Sequence, residues 1–166
     1  NAFGRGCLMA RRLVEVGAPF IEVDLGGWDN HNGIHNTLST GLLPTLDQAM
    51  SALVEDLEQR QRLKDTVIIW MGEFGRTPII NADAGRDHWA RCWSVVVGGG
   101  ALKGGLAVGE TDSEGRQVTS EPYAAEDLMA TVCHGLGISL ETTYQSKNGR
   151  PMKIANGGKL IRELLS

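Results

Sequence analysis

The 166-residue sequence predicts an α/β fold with a mainly parallel sheet. Two apolar runs, Val67-Ile68-Ile69-Trp70-Met71 and Trp93-Ser94-Val95-Val96-Val97, are each followed by glycine, and their length suits strands buried on both faces. A third run, Phe20-Ile21-Glu22-Val23-Asp24-Leu25, alternates apolar and acidic residues as an extended chain does. Between the third run and the first, apolar positions 43, 46, 50, 53, 57 and 63 recur at helical spacing. Strand, helix and strand in that order read as a βαβ crossover, and hence as parallel pairing.

The chain opens in a helix over residues 3–16, with Phe3, Cys7, Leu8 and Val16 among its apolar positions; Gly17-Ala18-Pro19 stops it. Arg11-Arg12 reads as a solvated helix face rather than an export signal, because Glu15 and Glu22 interrupt any apolar segment. Residues 20–25 form the first strand and residues 26–35 a polar loop. A helix over 42–63 follows, its last turns loaded with Arg60, Arg62 and Lys64 as the helix dipole prefers. Gly104-Gly105 and Asp112-Ser113-Glu114-Gly115 predict a hairpin over 104–120. Residues 123–136 make a helix with Leu128, Met129, Val132 and Leu136 inward and Glu126-Asp127 in its first turn. Residues 139–157 read as irregular and 158–165 as a short closing helix. The whole reads as part of one domain, with the helix already under way at Asn1 suggesting the C-terminal part of a longer chain.

Hydrophobic residues make up 42%, enough to bury a core in one domain. The net charge of −4, with no run of Lys or Arg, argues against a nucleic-acid partner. No apolar stretch approaches the ~20 residues that a membrane-spanning helix needs. Cys7, Cys92 and Cys133 are isolated, with no C-x-x-C among them, and read as free, buried thiols.

The chemistry-bearing residues lie in three polar strings beside the apolar runs: Gly26-Gly27-Trp28-Asp29-Asn30-His31, Gly72-Glu73-Phe74-Gly75-Arg76-Thr77-Pro78 and Gly85-Arg86-Asp87-His88-Trp89. A parallel sheet gathers such strings at the carboxyl ends of its strands, where ligands bind. Asp29 and His31 are two residues apart and in a tight loop can reach one ion. Oxygen plus imidazole nitrogen suits Zn, Mn, Fe or Ni better than Ca alone. The competing reading is an Asx turn with His31 in solvent. Glu73, at the end of a buried strand, is costly there unless paired or metal-bound; a salt bridge to Arg76 or Arg86 is the alternative. The Arg76 fork fits a tetrahedral oxyanion, unless it is spent on Glu73. Of Asp87-His88, one can ligate while the other orients a neighbour, or both can simply join a polar loop network. His35 ranks below His31, and His134 reads as a helix C-terminal histidine. No nucleophile elbow, P-loop or dinucleotide fingerprint is present.

These three strings, in this order, resemble the bacterial family DUF1501. The likeness continues through Gly-Glu-Thr-Asp-Ser-Glu-Gly-Arg at 109–116, Glu126-Asp127-Leu128-Met129-Ala130-Thr131, Leu136-Gly137-Ile138 and Gly149-Arg150-Pro151, so it covers essentially the whole chain. The resemblance implies a three-layer α/β/α sandwich of the alkaline phosphatase and sulfatase superfamily, and export to the periplasm or the cell exterior. It implies metal-dependent hydrolysis of phosphate or sulfate esters, on small-molecule or polysaccharide substrates, with a divalent ion among Zn, Mn and Ca. Asp29, His31, Glu73 and His88 are then the metal set and Arg76 and Asp87 the catalytic candidates, with the nucleophile outside this chain. Glu73-Phe74 departs from the family's superfamily pattern, which expects Asp-His there. That departure favours the runner-up, a non-catalytic binding protein for sulfated polysaccharide.

Overall fold

A computed structural model of the chain describes residues 1–165. Helix α1 spans Ala2–Glu15. Helix α2, Ile34–Thr37, passes through a π-helical turn, Leu38–Leu42, into α3, Leu43–Gln59. Strands β1 (Val67–Trp70), β2 (Gly75–Arg76), β3 (His88–Trp89) and β4 (Val96–Gly99) follow, then α4 (Ala125–Gly135), β5 (Thr143–Gln145) and β6 (Pro151–Lys153). Contacts divide the chain into two compact units. One comprises Asn1–Leu63 and Glu73–Trp93; the other comprises Lys64–Gly72 and the chain from Ser94 onward.

The expected α/β/α sandwich with a mainly parallel sheet is not formed. The sheets among the described residues are three antiparallel pairs, β1–β4, β2–β3 and β5–β6. The expected strand over residues 20–25 is not formed: they belong to no helix or strand, although Ile21, Val23 and Leu25 are half-buried and Glu22 and Asp24 exposed in alternation, and no backbone hydrogen bond joins them to a neighbour. The strand–helix–strand reading therefore lacks its first paired strand. Periodicity reports a strand's conformation and buried face; it does not name a partner. Between β1 and β4 the chain holds no helix, so the crossover that parallel neighbours need is absent. The two runs pair antiparallel instead, Ile68 opposite Gly98 and Ile69 opposite Val97.

In the first unit, α1 packs on α3. Asn1 Oδ1 accepts the Gly4 N–H at 2.7 Å and caps α1. Cys7 and Ala10 of α1 are buried, as are Leu46, Ala49 and Leu57 of α3. Leu57 is 1% exposed, and burial of such a side chain is worth about 1.5–3 kcal/mol. Arg11 turns out to face α3 rather than solvent. It is 11% exposed and pairs with Glu15 at 2.5 Å and Asp56 at 2.7 Å, while Arg60 pairs with the same two acids at 3.0 and 2.7 Å. The sequence pattern placed this helix over 42–63; α3 begins one residue later, at Leu43, and ends sooner, at Gln59, while α2 and the π turn lead into it just before Pro44, whose missing N–H breaks the regular ladder.

In the second unit, Leu128, Ala130, Thr131 and Val132 of α4 and Ile161 are buried. Asp127 Oδ2 accepts the Ala124 N–H at 2.8 Å and starts α4. Its Oδ1 accepts the Lys159 N–H at 2.7 Å, and Thr131 Oγ1 accepts the Ile161 N–H at 2.9 Å. These side chains capture the backbone of the final segment, so the expected helix over 158–165 is reduced to a 3₁₀ turn at Arg162–Leu164. Residues 139–157 are more ordered than expected: β5 and β6 form a hairpin closed by Ser146-Lys147-Asn148-Gly149-Arg150, with Gly149 at φ 75°. The Asn-Gly pair is the turn signal that the periodicity overshadowed. The 104–120 segment keeps a single bridge, Thr111 to Val118, around an Asp112 turn. No described helix is long and apolar enough to cross a membrane. The three cysteines are free thiols, Cys7 buried and Cys92 and Cys133 half-buried.

Candidate metal centre

The site lies within the first unit and is assembled by three backbone devices. Residues 30–34 are bonded to residues 83–86: Arg86 N–H to Asn30 O at 3.0 Å, Gly33 N–H to Asp83 O at 3.0 Å and Ile34 N–H to Ala84 O at 2.9 Å. Gly85 permits that approach, because a Cβ there would overlap the His31 carbonyl and the Asn32 nitrogen. In the β2–β3 pair, Arg76 stands directly opposite His88, so both side chains leave the same face of the ribbon. A tight turn at 27–30, with Gly27 at φ 93° and Asn30 Nδ2 donating to Gly27 O at 3.0 Å, brings Asp29 to the same place.

The polar atoms of Asp29, His31 and His88 converge within 4.8 Å of one another. Asp29 Oδ1 lies 3.0 Å from His31 Nε2 and 2.9 Å from His88 Nε2, and the two Nε2 atoms are 3.3 Å apart. All three residues are exposed, with Asp29 66% open to solvent. Asp87 stands behind His31, its Oδ1 at 2.7 Å from Nδ1. Asp87 is in turn held by Asn81 Nδ2 at 3.3 Å, and the same amide donates to His31 O at 3.0 Å. The Asn81 side-chain oxygen accepts from Asp83 N–H and Gly85 N–H at 3.0 and 2.9 Å. Phe74 packs its ring against His88 with centroids 4.4 Å apart.

Charge follows this geometry. Hydrogen bonds from His88 first, and then from Arg76 Nη2 at 2.7 Å, bring the Asp29 pKa down to about 2. The His31 contact lowers that of Asp87, and the Asn81 amide adds to it. The Asp87 hydrogen bond raises the His31 pKa, with Asp29 adding to it. If Asp87 holds the Nδ1 proton, His31 Nε2 faces Asp29 Oδ1 and His88 Nε2. In the protein alone Asp29 Oδ1 accepts from His88 Nε2 at 2.9 Å and from the Arg76 guanidinium at 2.7 Å, so the trio is held together by hydrogen bonds. A tetrahedral Zn ion with bonds of ~2.0–2.1 Å spaces its ligands about 3.3 Å apart, close to the sides of this triangle. The donor set therefore fits a small divalent cation.

Of the residues singled out in the sequence, Asp29, His31 and His88 come together, Arg76 joins them through Asp29, and Asp87 joins through His31. Glu73 is exposed and lies outside the trio. Arg76 is paired with Asp29 rather than Glu73. His35 and His134 are also outside the cluster. The sequence does not single out Asn81, whereas Thr77 is the hydroxyl nearest to the ligand candidates along the chain, discounted as a nucleophile because Pro78 follows it. Asn81 lies in a loop of small residues with no motif of its own. Thr77 Oγ1 donates to Ile79 O at 2.9 Å and accepts the Asp87 N–H at 3.0 Å, tying the two loops.

No curated protein and no solved structure matches the chain. One family does, described as "Protein of unknown function (DUF1501)", over residues 1–165. With nearly its whole length matched, and with the three polar strings that carry the likeness built into one cluster, the chain belongs to the DUF1501 family.

Proposed function

We propose that the chain holds one divalent cation through Asp29 Oδ1, His31 Nε2 and His88 Nε2, at a site that serves the hydrolysis of phosphate or sulfate esters. One observation carries this reading: Asp87 occupies His31 Nδ1 while His31 Nε2 is turned toward a carboxylate and a second imidazole. A carboxylate behind a histidine, selecting which nitrogen is left for a metal, is the outer-shell arrangement common in metal sites. When bound, such an ion polarises an ester oxygen and activates water. Arg76 sets a permanent positive charge beside Asp29, with a fork suited to tetrahedral oxyanions. This is the chemistry that a resemblance to alkaline phosphatases and sulfatases would imply. The Thr77 hydroxyl is already engaged on both sides, so the attacking oxygen has another source.

A second reading, a binding protein for sulfated or phosphorylated ligands without turnover, is favoured by the position of Glu73 outside the trio and by the Phe74 ring against His88. Three ligands would hold one ion rather than a two-metal clamp. Calorimetric titration of the purified chain with Zn and Mn, followed by assays on aryl phosphate and aryl sulfate esters, separates the readings. One equivalent bound, and binding abolished in His31→Ala and His88→Ala, is expected under both. Turnover by the loaded chain selects the hydrolase, and binding without it selects the second reading. Absence of any cation binding would sink both.

A further inference from the structure

Resting on the cation reading above, we infer that Asn81 is a positioning residue of that site: its amide nitrogen holds Asp87 against His31 and so sets how firmly His31 is presented to the ion. Asn81 is half-buried and clamped within its own loop. Its N–H donates to Gly85 O at 2.9 Å and its carbonyl accepts the Ala84 N–H at 3.1 Å. The two ends of the side chain then do different things. The oxygen stays on the loop, accepting from Asp83 N–H at 3.0 Å and Gly85 N–H at 2.9 Å. The nitrogen leaves it, donating to His31 O at 3.0 Å and to Asp87 Oδ1 at 3.3 Å. Only one amide orientation satisfies these four contacts. The flipped one would set NH2 against two N–H groups, and oxygen against a carbonyl and a carboxylate.

A turn-forming role explains the oxygen but not the choice of residue. Aspartate and asparagine both close such turns through a side-chain oxygen. Asparagine alone of the two adds a donor that reaches acceptors 50 and 6 positions away. Asp87 needs that donor. Its side chain is 53% exposed, so water competes for it. Its Oδ1 is the atom that meets His31 Nδ1, at 2.7 Å, and the Asn81 amide meets the same oxygen. The amide also grips the main chain from which the His31 imidazole leaves. A ring fixed at its backbone and at Nδ1 keeps Nε2 turned toward Asp29 and His88.

The test is calorimetric titration with Zn of the 166-residue chain and of three variants: Asn81→Asp, Asp87→Ala and the two combined. Asn81→Asp keeps the oxygen that closes the loop and replaces the donor by a second acceptor, which repels Asp87. Coulomb attraction alone would make the added carboxylate tighten cation binding. Lost positioning weakens it instead, by about tenfold. Because Asn81 acts through Asp87, adding Asn81→Asp to Asp87→Ala should change affinity by no more than about twofold. Visible absorption of the Co-loaded chain gives a second readout. Asn81→Asp should move the spectrum to that of Asp87→Ala, since in both the His31 ring has lost its carboxylate. Unchanged or tighter Zn binding by Asn81→Asp would overturn the proposal and leave the cation reading standing. So would a loss as large in the Asp87→Ala background as in the wild type, which would make Asn81 a loop scaffold only, or a Co spectrum that stays like the wild type's. A wild-type chain that binds neither Zn nor Co would remove the cation reading and this role of Asn81 together.

Discussion

The carboxylate of Asp87 touches His31 at 2.7 Å and touches no other ligand candidate. Its influence on a cation is therefore indirect, through the tautomer and orientation of one ring. Asp87→Asn keeps the shape and removes the charge. The His31 titration, followed by NMR of the imidazole protons, should fall toward the ordinary histidine value, because the largest cause of its upward shift is lost. Cation affinity should fall about 10–100-fold. An unchanged titration would show that the contact does not persist in solution. The same shifts set a pH dependence for the metal-free chain. The raised pKa of His31 contributes stability in full below about 6.5, and that contribution is lost as pH rises through the folded value. The lowered values of Asp29 and Asp87 contribute in full above about 3.9; they are lost as pH falls, for Asp29 toward about 2. The cluster should stabilise the fold most between these limits, to a small extent because every member is exposed and screened. Urea midpoints from pH 2 to 8, for the wild type and the His31→Ala variant, measure this. Identical profiles would contradict it.

At the level of elements, the site depends on two loops held backbone to backbone, and Gly85 is their point of closest approach. Gly85→Ala should push the 28–34 loop away from 83–87. The obstacle is main chain that cannot swing aside, so a loss of about 1–3 kcal/mol is expected, together with loss of cation binding. Denaturation and calorimetry read the two effects. Native stability in this variant would mean that the loops are not so closely joined. In the second unit, Thr131 is 0% exposed and its hydroxyl both donates to Asp127 O at 2.8 Å and accepts the Ile161 N–H. Thr131→Val preserves the shape and strands that buried N–H. Stability should drop by about 1–3 kcal/mol, with faster amide exchange at Ile161 than anywhere in α4. A neutral substitution would mean that water replaces the hydroxyl.

At the scale of the whole molecule, the binding apparatus and the hydrolytic apparatus separate. The cluster supplies carboxylate, imidazole and guanidinium, but its neighbouring hydroxyl, Thr77, is committed to structure. Nucleophilic catalysis needs an attacking oxygen within hydrogen-bond reach of its activator. The 166-residue chain loaded with Zn or Mn should therefore turn over aryl esters only weakly, by cation-bound water. Vigorous turnover that vanishes in His88→Ala would show a complete catalytic apparatus within these residues.

Sequence alone determined what short-range physics controls. The apolar spacing around Cys7 marked α1, and Leu128 and Val132 marked α4, because a helix buries one stripe whatever it packs against. The alternation of 20–25 marked which side chains are half-buried but not a strand, and the apolar runs marked β1 and β4 to within a few residues. The strings around Asp29, His31 and His88 announced themselves by residue type. Tertiary structure decided what depends on partners far along the chain. Strand direction at β1 follows from which backbone lies beside it, and nothing in Val67-Ile68-Ile69-Trp70 records that β4 runs antiparallel there. The ring of Arg11, Glu15, Asp56 and Arg60 depends on α1 lying along α3, so Arg11 looked like surface. The choice of Asp87 rather than Glu73 to stand by the histidines is set by a contact across 56 residues. Asn81 matters because its amide lies between two loops. Hydrogen bonds select partners by position in space, and one sequence read along its length carries residue types and periods but not those positions.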